Sequence, residues 1–168
     1  DKLKKPDSLK RDKIYILHAI NSKNKIKKGN KFFDKSLSII EKKYSDKIKV
    51  IRTIDNHYSS HIKNVEHCDI LLDQVYAYDQ GYNALEAMAL GKVVFTGAEV
   101  EWAEYYNIKE NMVAINALPD ITKIVDKLSW LIENPIHLEN ISKNARKFIE
   151  DHHNYKSIAL KYIANWEK

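Results

Sequence analysis

Short unbroken apolar runs alternate along the chain with stripes at helical spacing. IYILHAI, residues 14 to 20, is β-branched and aromatic with no charge, as expected of a central parallel strand covered on both faces. KIKVIRTID (47–55) reads as a second strand, Ile70-Leu71-Leu72 as a third, Val93-Val94-Phe95 as a fourth and NMVAIN (111–116) as a fifth. Between them Phe33, Leu37, Ile40 and Tyr44 recur at helical spacing, and residues 55–69 offer a short helix with Ile62 and Val65 inward. Gly81 opens an Ala/Leu/Met-rich helix closed by Gly91, and 99–107 reads as a short helix with Trp102 and Tyr106 inward. Three striped helices close the chain. The first carries Ile121, Ile124, Val125, Leu128, Leu131 and Ile132 between Pro119-Asp120 and Pro135. The second carries Leu138, Ile141, Ala145 and Phe148, and the third Tyr155, Ile158, Ala159, Tyr162, Ile163 and Trp166. All three stripes are expected to be core. The order predicts an α/β doubly wound parallel sheet with a C-terminal helical tail.

The stretch from Cys68 to Gly97 organises the rest: strand, polar pair Asp73-Gln74, loop, helix, strand. In open parallel sheets ligands collect where strand ends meet helix starts, which makes Glu86, one turn into its helix, a candidate. His18, near the exit of the first strand, is either a core residue or a ligand-facing one. NSKNKIKKGN (21–30) is a basic, glycine-containing loop feeding a helix N-terminus. Free backbone N–H groups and ammoniums both favour phosphate there. It has no GxxxxGK[ST] spacing, and GxGxxG is absent from the chain. His57, His61 and His67 lack an acid or cysteine that would complete a metal ligand set, so they read as surface histidines.

Length and composition suit one ordinary domain: 168 residues, 44% hydrophobic and 30% charged. No apolar run approaches the ~20 residues that span a bilayer, and DKLKKPDSLKRDK lacks the apolar core of a signal peptide. Either a cytoplasmic protein is expected or its targeting segment lies outside this stretch. The chain begins with Asp rather than Met, as a piece of a longer protein would. Cys68, the single cysteine, reads as a small buried core residue. The net charge of +5 is uneven, since residues 1–35 carry 12 Lys/Arg against 4 Asp. Residues 1–12, with Pro6, read as a linker from a preceding domain, leaving 13–168 as the folded domain. The lysines of 23–31 form either a solvated surface or a basic rim for phosphate, nucleic acid or acidic membrane.

HA-x-N (His18, Ala19, Asn21), then Lys28-Gly29, D-I-x-x-D-Q (Asp69 to Gln74) and G-Y-x-x-x-E-A-M-A-L-G-K (Gly81 to Lys92) follow in order. Together they resemble the C-terminal, donor-binding domain of a GT-B-fold glycosyltransferase of the large retaining family 4, from about residue 13 to the end. The resemblance implies a hexosyltransferase whose substrate here is a nucleotide-sugar, with no metal or other cofactor. Glu86 would accept hydrogen bonds from the ribose hydroxyls and Lys28 would hold the diphosphate, the two carrying the catalytic role. Lys23 would be a second basic residue, and backbone N–H groups around Gly81 to Asn83 would complete the cradle. His18, Asn21, Gly29, Gln74, Tyr78, Tyr82 and Asn83 fall at the remaining positions expected to line the donor site, with the base between Thr53 and Tyr58.

Tyr78 stands where the family's Glu-x7-Glu pair has its first glutamate, which in the family faces the transferred sugar. The family further implies an acceptor-binding N-terminal domain, bacterial surface polysaccharide as the pathway, and a peripheral contact of the longer protein with the inner face of the membrane. The present chain alone is expected to bind donor weakly without turnover, its last helix reaching toward that other domain. Alternatives are a nucleotide-sugar epimerase or phosphorylase-like enzyme, a catalytically degenerate domain, and a basic nucleic-acid module. The lysine run has no interleaved aromatics, so no nucleic-acid partner is expected.

Overall fold

The computed structural model describes residues 12–167, so the expected linker, residues 1–12, lies almost wholly outside the described residues. Five parallel strands, β1 (Ile14–Ile20), β2 (Ile48–Ile54), β3 (Ile70–Leu72), β4 (Val93–Thr96) and β5 (Ile115–Asn116), form one sheet in the order β2-β1-β3-β4-β5. Helices α1 (Asn30–Lys43), α2 (Tyr58–His67), α3 (Tyr82–Ala89) and α4 (Val100–Tyr105) are the crossovers, and α5 (Ile121–Glu133), α6 (Pro135–His152) and α7 (Tyr155–Trp166) close the chain. This is the doubly wound α/β layer structure that the pattern of runs and stripes predicts.

Strand alternation divides the core. Ile16, Ile70, Leu72, Val93 and Phe95 face one side and pack with Phe33, Leu37 and Ile40 of α1 and Ile124, Leu128 and Leu131 of α5. Leu17, Leu71 and Val94 face the other, against Val65 of α2, Ala84, Ala87 and Met88 of α3, and Ala145 and Phe148 of α6. Cys68 is buried in the second cluster. With both faces covered, the central strands are apolar but for His18 in β1 and Thr96 at the end of β4, and polar groups concentrate at their carboxyl ends. The chain leaves β1 to one side for β2 and to the other for β3, which opens a crevice between the carboxyl ends of β1 and β3.

Three expectations need correction. The fifth strand shrinks from 111–116 to Ile115–Asn116. Asn111 takes φ +59°, and the Met112 N–H donates to the Lys109 carbonyl at 3.2 Å, so a turn occupies the first half of the run. The 99–107 helix is shorter, Val100–Tyr105, with Trp102 and Tyr106 half-buried against Phe148. The stripe of α7 is not core: none of its residues is buried, and Tyr155, Tyr162, Ile163 and Trp166 are exposed.

The β4–α4 connection lies against the loop after β3. A Cβ on Gly97 would come 2.3 Å from the Ala77 carbonyl oxygen and 2.7 Å from that of Asp79, so only a hydrogen fits between the backbones. Gly97→Ala is therefore expected to cost on the order of 2 kcal/mol or more in urea unfolding. Gly81→Ala, at φ −82° with nothing nearer than Gln74 Nε2 at 3.8 Å, should be neutral or stabilising by up to ~1 kcal/mol.

Candidate functional site

Asp73 follows directly on β3. Its N–H donates to the Phe95 carbonyl at 2.9 Å, which sets its carboxylate at the sheet's carboxyl edge with only 1% of the side chain exposed. A buried carboxylate must be matched by donors, and here three elements supply them. Lys28 Nζ and Asn83 Nδ2 each donate to Oδ1 at 2.7 Å, and Thr96 Oγ1 donates to Oδ2 at 3.2 Å. Lys28 is fixed through its backbone, its carbonyl accepting from Val75 N at 3.1 Å. Gly29 makes this approach possible, for it sits at φ +67° and a Cβ there would lie 2.2 Å from Val75 Cγ2.

Above this cluster opens a cleft of ≈ 310 Å³, walled by Asn21, Lys28, Asp55, Tyr58, His61 and Asn83. Asp55, held at φ +51°, accepts from Ser22 N at 2.8 Å, and this backbone hydrogen bond lowers its pKa. Tyr58 donates its hydroxyl to Glu86 Oε1 at 2.8 Å, which pushes the phenol pKa up. His61 Nε2 lies 2.6 Å from Asn83 Oδ1. Asn83 stands in the first turn of α3, whose N-cap Gly81 offers no side-chain cap. Helix geometry leaves the first N–H groups without intrahelical acceptors.

The structure thus brings Asn21, Lys28 and Asn83 together, with Gly29 beneath and half-buried Glu86 joined to the cleft wall through Tyr58. Gln74 is half-buried beside Gly81. Tyr78 and Tyr82 are 78% and 88% exposed, and Lys23 is exposed, outside the cleft lining. His18 takes the core alternative: it is fully buried between β1 and α1, edge-on to Phe33, with Nε2 3.3 Å from Asp34 Oδ1. Burial lowers its pKa, with Arg52 pushing the same way and Asp34 opposing. Asp73 is the main residue that sequence reasoning missed as a site group. An acid directly after a buried strand, at the sheet edge where ligands gather, was the available signal. His61 and Tyr58 had no comparable one, since only the packing of α2 against α3 gives them partners. Among the described residues no three His, Cys, Asp or Glu cluster to hold a metal ion.

A doubly wound sheet with a polar cleft at the β1/β3 switch point and an uncapped helix start is the layered α/β class whose ligands gather at that edge. The chain belongs to the glycosyl transferases group 1 family, whose model matches residues 11–148. TarM from S. aureus, solved as a mutant with fondaparinux, alpha-GlcNAc-glycerol and UDP, superposes with a TM-score of 0.73 at 14% identity. That alignment covers 98% of this chain and 37% of TarM. The C-terminal domain of a group 1 glycosyl transferase (LpcC) from Francisella tularensis gives 0.63 at 20% identity, covering 84% of this chain and 87% of that domain. Anabaena Alr3699/HepE, solved with UDP and glucose, gives 0.68 at 12% identity, covering 93% of this chain and 48% of that protein. A search of curated protein sequences finds no match. These likenesses establish the fold as the Rossmann-like half of a GT-B glycosyltransferase.

Two stability outcomes follow from the site. Lys28→Met leaves the Asp73 carboxylate buried with one charge unmatched and should cost about 2 kcal/mol in urea unfolding. Adding Asp73→Asn should restore part of that loss, read as a coupling term in a double-mutant cycle. His18 stays neutral in the fold because its pKa is depressed, whereas the unfolded chain takes up a proton near pH ~6.5. Its contribution is therefore complete above that value and falls as pH drops below it, by up to ~1.4 kcal/mol per pH unit per proton. His153, also lowered by burial, adds to the slope. His18→Asn should make stability measured between pH 6.5 and 5 visibly less pH-dependent.

Proposed function

We propose that the cleft holds the nucleotide-sugar donor of a retaining, family 4 type hexosyltransferase. The observation that carries this reading is the meeting of Lys28, the uncapped start of α3 and the Tyr58–Glu86 pair around one opening at the β1/β3 switch point. Lys28 and the first N–H groups of α3, from Gly81 to Asn83, hold the diphosphate. A fixed ammonium and a helix N-terminus stabilise a departing diphosphate most as its charge develops. Glu86, aligned by Tyr58, accepts from the ribose hydroxyls. The base lies along the wall formed by Thr53, Asp55, Asn56 and Tyr58, where the cleft continues from β2. The donor is a substrate, and the family's pattern implies transfer without a metal. Neighbours solved with UDP make uridine nucleotides the first to test.

The acceptor is bound by a separate N-terminal domain, and transfer takes place between the two. The chain spans less than half of TarM and of Alr3699/HepE, which is in keeping with that division. Surface polysaccharide is the product class, made at the cytoplasmic face of the membrane. Among the described residues no helix is long and apolar enough to cross it. A second reading, a domain that keeps donor binding with altered or lost transfer, is favoured by Tyr78. A 78% exposed phenol stands at the family's first glutamate and offers no carboxylate to the sugar.

Thermal unfolding with UDP, GDP, ADP, CMP and their sugars tests the assignment, since a ligand held only by the native state stabilises by about 2.7 kcal/mol at 100 times its Kd. A rise with one base, lost in Lys28→Ala and Glu86→Ala, is the expected result. No rise with any of them at millimolar concentration would reject donor binding by this domain.

A further inference from the structure

The donor cleft uses one lysine of the segment that leads into α1, Lys28, and leaves the rest of a basic loop without a role. Residues 21–33 carry five lysines and no acid. Lys23, Lys25, Lys27 and Lys31 are exposed and lie outside the cleft lining. None of the four enters an ion pair among the described residues. The acids that the loop meets are Asp73, through Lys28 Nζ, and Asp55, through Ser22 N and the nearby charge of Lys23. Five lysines against these two carboxylates leave a surplus of +3 at one place on the surface.

Among these cations stands Ile26, 91% exposed. A single exposed apolar side chain is ordinary, but this one is carried on a fixed backbone. Lys28 N donates to the Asn24 carbonyl at 2.8 Å, Gly29 N to that of Ile26 at 3.0 Å and Asn30 N to that of Lys25 at 3.2 Å, so the turn presents Ile26 outward. The surface continues into aromatic rings. Tyr76, 53% exposed, lies beside Gly29 and edge-on to Phe32, and Lys31 Nζ is 5.0 Å from the centre of the Phe32 ring. An aliphatic tip, a tyrosine at its base and ammoniums on long methylene stems suit the boundary of a bilayer. There an apolar group enters the acyl edge, tyrosine sits at headgroup level and lysines reach the phosphates. A soluble polyanion gives Ile26 no apolar surroundings. Between Asn21 and Lys31 the loop also has no aromatic on which a base could stack and no guanidinium for bidentate phosphate contacts.

We propose that the 22–31 loop docks this domain on a bilayer rich in acidic phospholipid, with Ile26 entering the interface and Lys23, Lys25, Lys27 and Lys31 meeting the headgroups. The contact is made by this domain itself and does not depend on donor binding. Asn21, Asn24 and Lys28 belong to the same loop and line the cleft, so docking holds the cleft next to the membrane surface.

The test is cosedimentation of the whole 168-residue chain with vesicles of phosphatidylcholine alone and of phosphatidylcholine with phosphatidylglycerol, at low and high salt. The expected result is binding to the acidic vesicles only, weakened as salt screens the charges. The triple variant Lys23→Gln, Lys25→Gln, Lys27→Gln should bind on the order of 100-fold more weakly, at about fivefold per lysine. Ile26→Gln, with its charge unchanged, should bind about tenfold more weakly than wild type. Residues 1–11 are the same in every variant, so their own basic charge cancels in the comparison, and circular dichroism verifies that each variant is folded. Failure of the wild type to bind acidic vesicles, or wild-type binding by the triple variant, would overturn the proposal. Loss of binding in the triple variant with none in Ile26→Gln would also overturn it, in favour of a surface for soluble polyanions. Donor binding is read separately by thermal unfolding and stands or falls on its own.

Discussion

A single buried carboxylate holds the working end of this domain together. Taking an ion out of water costs several kcal/mol unless donors replace the lost hydration, so Asp73 at the end of β3 obliges its neighbours to come to it. Lys28 arrives from the loop after β1, Asn83 from the start of α3 and Thr96 from the end of β4. Each of these segments would otherwise be free to settle independently. With the carboxylate among them they share one geometry, and that geometry is the floor of the cleft. The tight backbone passages at Gly29 and Gly97 serve the same end, since they let the loops after β1, β3 and β4 approach closely enough for those bonds to form.

The sheet explains why such a cluster can exist only there. Strands β1, β3 and β4 send alternate residues into two apolar layers, Ile16, Leu72 and Phe95 to one and Leu17, Leu71 and Val94 to the other. Neither face has room for an ionised group without cost. His18 illustrates the limit: it is the one histidine inside the sheet, and burial keeps it neutral. The carboxyl edge is different, because helix starts with free N–H groups and polar loops converge on it. Function is confined to that edge by the same burial that stabilises the rest.

Most of this was legible in the sequence, and the parts that were not share a cause. The runs at Ile14–Ile20 and Val93–Phe95, and the stripes of α1, α5 and α6, name their own partners, since an apolar face in a chain of this size has few places to go. Lys28 and Glu86 could be named as candidates because motifs of recognised spacing carry them, and Asn83 because it stands at the start of the helix that Gly81 opens. The stripe of α7 misled because periodicity states which face of a helix seeks cover, not whether residues 12–167 supply it. The fifth strand was overdrawn because Asn111 can adopt the left-handed conformation that turns the chain at little cost. Asp73 showed only as an acid after a buried strand, Tyr58 only as the edge of the region expected to hold the base, and His61 only as a surface histidine, because the partners they meet lie on elements distant in sequence: Lys28 for Asp73, Glu86 for Tyr58, Asn83 for His61. Residue type and local pattern carry no trace of such pairings.

The pairing of Lys28 with Asp73 could be taken as a lock that a phosphate must break, but the stoichiometry of an ammonium argues otherwise. Lys28 has three N–H donors, and the structure commits one of them to Asp73 Oδ1. Its side chain keeps 26% of its surface exposed while the carboxylate keeps 1%, so the charge that faces the cleft is the positive one. A ligand oxygen can bind the remaining donors without displacing Asp73. The carboxylate then lowers the net charge of the cleft while fixing the direction of its cation, trading long-range attraction for a preset geometry. A site built this way discriminates by where an anion's oxygens fall more than by how much charge it carries.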